Sequence, residues 1–102
     1  MNKTLTEKAF REGFATYVSS ITSGNLSSST QRTIGRVESG KRWKFLFQTE
    51  FLPYALGYIA YYAISKSKSE KFAISVGLYE SPSIWLIKGR EALAKLGKRC
   101  II

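Results

Sequence analysis

FAISVGLYE, residues 72–80, is the stretch on which the fold class turns. Phe72, Ile74, Val76 and Leu78 alternate with Ala73, Ser75, Gly77 and Tyr79. Side chains of an extended chain point to opposite faces in turn, so this period of two predicts a β-strand. Ser81-Pro82-Ser83 follows as a turn. Residues 84–87 (IWLI) have β-branched ends and a tryptophan, which leans them to a second strand paired with the first.

Immediately upstream, residues 65–71 (SKSKSEK) read as a polar connection with three lysines. Before it stands the longest uncharged run, residues 51–64 (FLPYALGYIAYYAI). A small chain cannot leave that much apolar surface wet, so other elements must cover it. Two readings compete here. A helix over 53–66 places Pro53 in the first turn, where its missing N–H is harmless. It gathers Leu52, Leu56, Ile59 and Ala63 on one face and Tyr54, Tyr58, Tyr61 and Ser65 on another. A strand over 54–65 suits the tyrosines and isoleucines. The length exceeds that of an ordinary strand of about 5–6 residues, and the helix is preferred.

Residues 32–50 predict a β-hairpin, with strands at 33–38 and 42–49 and a turn at Ser39-Gly40. Trp43, Phe45 and Phe47 share one face of it and Lys44, Leu46 and Gln48 the other. The serine-rich stretch 19–31 has loop composition. A first helix is predicted over 4–21, with Thr4 and Glu7 at capping-box spacing. Phe10, Phe14, Tyr17, Val18 and Ile21 make its apolar stripe, extended upstream by Leu5 and Ala9. Gly13 inside it costs about 1 kcal/mol relative to alanine. A last helix is predicted over 90–96, stopped by Gly97. The order α-β-β-α-β-β-α predicts a single α+β domain over residues 1–102, with helices packed on an antiparallel sheet of about four strands.

Composition excludes whole chemistries. The chain has no histidine and one cysteine, Cys100, and all seven of its acidic residues are glutamates. Ser-His-Asp and Cys-His pairs are therefore impossible, as are Cys₂His₂ and Cys₄ zinc sites and an internal disulfide. No spacing points to a catalytic group, a metal site or a cofactor, so no enzyme is predicted. Residues 1–10 lack the apolar core of a signal peptide. The uncharged run is shorter than the roughly 20 residues that span a bilayer. A cytoplasmic protein without a membrane span is the expectation.

The charge balance carries the functional signal. Sixteen Lys and Arg against seven acids leave +9. Arg32, Arg36, Lys41, Arg42 and Lys44 concentrate in the hairpin, and Lys88, Arg90, Lys95, Lys98 and Arg99 towards the C-terminus. Brought onto one face, these two groups would neutralise phosphates and release counterions, giving affinity for DNA or RNA without sequence preference. Trp43, Tyr58 and Tyr61 are candidate aromatic contacts for unpaired bases. Three aromatics on one strand face usually point inward, and that places Trp43 in the core while Arg42 and Lys44 keep their phosphate contacts. The competing expectation is a protein-interaction module or inhibitor of the phage or mobile-element kind, docking on an acidic surface of a nucleic-acid-processing enzyme. Its tyrosines and tryptophans suit a protein interface.

Overall fold

The computed structural model describes residues 3–24, 31 and 52–95. Four helices hold residues 3–23 and most of 52–95: α1 (Lys3–Ser23), α2 (Leu52–Ser67), α3 (Glu70–Tyr79) and α4 (Pro82–Lys95). No strand occurs among the described residues. The predicted α+β fold is thus corrected to a helical bundle, in which α2 packs against each of the other three helices.

The correction turns on α3. Ser69 caps it, its Oγ accepting from the Phe72 N–H at 3.0 Å, and Glu70 complements the helix dipole in the first turn. Ala73 and Val76 are buried, three residues apart as helix periodicity requires. The alternation that suggested a strand would have put Val76 and Leu78 on the same face. Instead Leu78 is 58% exposed and Tyr79 82% exposed. Nearly every residue of 72–79 is apolar or small, so the period of two is a weak signal beside an N-cap and a tertiary partner.

Residues 84–87 are helical for the same kind of reason. Ser81 caps α4, accepting from the Ile84 N–H at 3.3 Å, and Pro82 occupies the first helical position. Ser-Pro-Ser thus starts a helix where a turn between strands was expected. Trp85, Gly89, Ala92 and Leu93 form its buried stripe. The helix predicted over 90–96 is the last part of this longer one.

The other two helices agree with expectation. The run 51–64 is helical, and α2 continues through Ser67 into the stretch read as a polar connection. Tyr58, Ile59, Ala60, Tyr61, Ala63 and Ile64 are all buried, so this helix is covered nearly all round. At the N-terminus, α1 begins at Lys3 and extends to Ser23, into the predicted loop. Thr4 therefore lies within the first turn and does not cap it. Gly24, at φ 74°, follows the helix in the left-handed conformation that glycine tolerates best.

Close approach between α1 and α2 rests on two glycines. A methyl group at Gly13 would fall on the Gly57 backbone, and one at Gly57 on the Ala9 carbonyl. Around this crossing the large side chains interlock. Tyr17 stacks on Tyr61 with ring centroids 5.8 Å apart, and Phe10 meets Trp85 edge-on at 5.7 Å. The predicted hairpin of 32–50, most of the loop at 19–31, Gly97 and Cys100 lie outside the described residues.

Candidate basic cleft

The C-terminal half of α4 sets Lys88, Glu91, Ala92 and Lys95 at three- and four-residue steps, hence on one side of the helix. That side faces the corner where α2 passes into α3. The Lys68 N–H donates to the Ile64 carbonyl at 2.9 Å, finishing α2, and Ser69 at once caps α3. With only two residues between the helices, Lys68 and Phe72 are held close to the end of α2.

A cleft of about 50 Å³ lies between these elements. Ile64, Phe72 and Ala92 give it an apolar wall. Ser67, Lys68, Lys88, Glu91 and Lys95 complete the lining. Three ammonium groups against one carboxylate leave a local excess of two positive charges. Lys88 Nζ sits 5.5 Å from the centre of the Phe72 ring, an arrangement that favours the cation. Just outside, Lys66 Nζ sits 5.4 Å from the Tyr62 ring.

The ten basic residues singled out in the sequence divide into three sets. Lys88 and Lys95 meet at the cleft. Arg90 does not line it: two residues from Lys88, it is turned about 200° around the helix. Arg90 is partly buried, and its Nε has no hydrogen-bond partner. Arg32, Arg36, Lys41, Arg42, Lys44, Lys98 and Arg99 lie outside the described residues, as does Trp43. Tyr58 and Tyr61 are core residues, so the aromatic contacts suggested for them have no exposed ring to use. The Tyr61 hydroxyl donates to the Phe10 carbonyl at 3.0 Å, and burial raises its pKa well above that of a free tyrosine. Trp85, also suggested for a protein interface, is fully buried.

Sequence reading missed Lys68 and Phe72 as parts of this site. Residues 65–71 looked like a solvated connection, and Phe72 like the start of a strand. The available signal was Ser69-Glu70, a cap followed by an acidic first turn.

Among the described residues no three metal-ligating side chains come together, and no helix is long and apolar enough to cross a membrane. No protein-family model, curated protein or solved structure matches the chain.

Proposed function

We propose that this chain is a small binding protein, without catalysis of its own, that contacts nucleic acid at its phosphates through a lysine-rich face. The observation that carries the reading is the meeting of Lys68, Lys88 and Lys95 at one cleft in a chain of net charge +9. Lysine ammoniums neutralise phosphates and release condensed counterions, a gain that does not depend on base sequence. Arg32, Arg36, Lys41, Arg42, Lys44, Lys98 and Arg99 are further candidate contacts under this proposal. Titration of labelled single- and double-stranded DNA and RNA at two salt concentrations tests it. Affinity should weaken steeply with salt, with a log–log slope of about −0.9 per duplex phosphate contacted.

A second reading, docking on an acidic surface of a nucleic-acid-processing protein, is supported by a different observation. Leu78, Tyr79, Ile84 and Ile87 are exposed near the α3–α4 junction. Exposed apolar side chains beside basic ones suit a protein partner. Absence of binding to any nucleic acid at low salt would favour this reading over the first.

A further inference from the structure

We infer that the cleft between the α2–α3 corner and α4 seats one phosphomonoester group, the terminal phosphate of a nucleic-acid strand. This deepens the nucleic-acid reading and rests on it. Three features of the cleft support the assignment.

The first is convergence. A site that tracks a strand spreads its cations along the backbone, one to a phosphate. Here Lys68, Lys88 and Lys95 border a single hollow. The second is size. A hollow of about 50 Å³ has room for roughly three or four water-sized groups, which suits the oxygens of one phosphate. The third is charge. A phosphomonoester near neutral pH carries about −1.5 to −2, against one negative charge for an internal diester. Three lysines and Glu91 sum to +2, which balances the dianion and exceeds what a diester needs. Lysine ammoniums supply three donors each, and the Ser67 hydroxyl adds one more. Phe72 walls one side and holds the Lys88 ammonium near its ring. Glu91 is the one group that opposes an anion.

Fluorescence anisotropy with one labelled oligonucleotide, prepared with a 5′-phosphate, a 3′-phosphate or hydroxyl ends, tests the inference on the full chain. A phosphorylated end should bind about tenfold more tightly than the hydroxyl form, the gain of one charge-assisted contact set. Lys88→Gln with Lys95→Gln should abolish that preference, whereas Lys8→Gln on α1 should retain it. Glu91→Gln should enlarge it. All these positions except Lys88 and Glu91's neighbours in the core are on the surface, and circular dichroism confirms that each variant is folded. Equal binding of phosphorylated and hydroxyl ends would overturn the inference while leaving backbone contact intact. Failure of every strand to bind at low salt would remove both.

Discussion

Gly13 of α1 and Gly57 of α2 meet backbone to backbone, with no space for a side chain on either. A glycine inside a helix costs about 1 kcal/mol relative to alanine, so two of them facing each other need a tertiary reason. The reason is the approach that brings Phe10, Phe14 and Tyr17 into contact with the tyrosines of α2. Alanine at Gly13 or Gly57 should therefore destabilise the fold by roughly 1–3 kcal/mol despite its better helix propensity. Gly77→Ala should cost less, because the added methyl meets the Phe14 side chain and not a backbone. Urea denaturation of the three variants gives the ranking; equal stability of Gly57→Ala and the parent would refute the close crossing.

Two buried tyrosines should respond oppositely to loss of their hydroxyls. Tyr61 uses its hydroxyl on the Phe10 carbonyl. The Tyr17 oxygen has no hydrogen-bond partner; the neighbouring Ser65 hydroxyl is committed to the Tyr62 carbonyl at 2.7 Å. Tyr61→Phe should cost about 1 kcal/mol, the net value of an ordinary hydrogen bond. Tyr17→Phe should be neutral or stabilising, since it removes a buried polar atom that gains nothing. Thermal unfolding of both variants makes the comparison.

Those same hydroxyls set an alkaline limit. Burial raises the pKa of both Tyr17 and Tyr61 above the ordinary value of 10.0. Above pH 10 the unfolded chain loses these protons while the folded chain retains them. The folded state then binds more protons, and stability falls as pH rises. Below pH 10 both states hold the protons, so these groups add no pH dependence. The decline should approach about 1.4 kcal/mol per pH unit for each tyrosine. A double Tyr17→Phe, Tyr61→Phe variant should show a shallower decline between pH 10 and 11 in denaturant titrations.

Serine caps begin the two helices that sequence periodicity mistook for strands. Ser69→Ala should destabilise the protein by about 1 kcal/mol. Ser81→Ala should cost less, because its bond to the Ile84 N–H is longer, 3.3 Å against 3.0 Å for Ser69 to Phe72. Chemical denaturation resolves the difference, and a silent Ser69→Ala would contradict the cap.

Lysines at the cleft should account for part of any salt dependence of nucleic-acid binding. Replacing Lys68, Lys88 or Lys95 with glutamine should each lower the magnitude of the log–log salt slope by about 0.9 on duplex DNA. Arg90→Gln should leave it unchanged, since Arg90 faces away from the cleft. Binding isotherms at four salt concentrations would measure the slopes.

Local pattern was enough for some of this architecture. The three- and four-residue spacing of Phe10, Phe14 and Tyr17 marked α1, and the length of the uncharged run marked α2. Both signals sum over many residues of one element, so they need no knowledge of its partners. The absence of histidine and aspartate also removed whole catalytic classes before any fold was known. Tertiary structure decided what depends on contacts distant in sequence. Residues 72–79 offer apolar or small side chains at nearly every position, so either periodicity fits them, and packing of Ala73 and Val76 against other helices selects the helix. Gly13 looked like a weak point in α1 until Gly57, far along the chain, met it. The gathering of Lys68 with Lys88 and Lys95 likewise follows from how α4 folds back onto the α2–α3 corner. Spacing along a chain sets which side chains share an element's face; only packing between elements sets which faces meet.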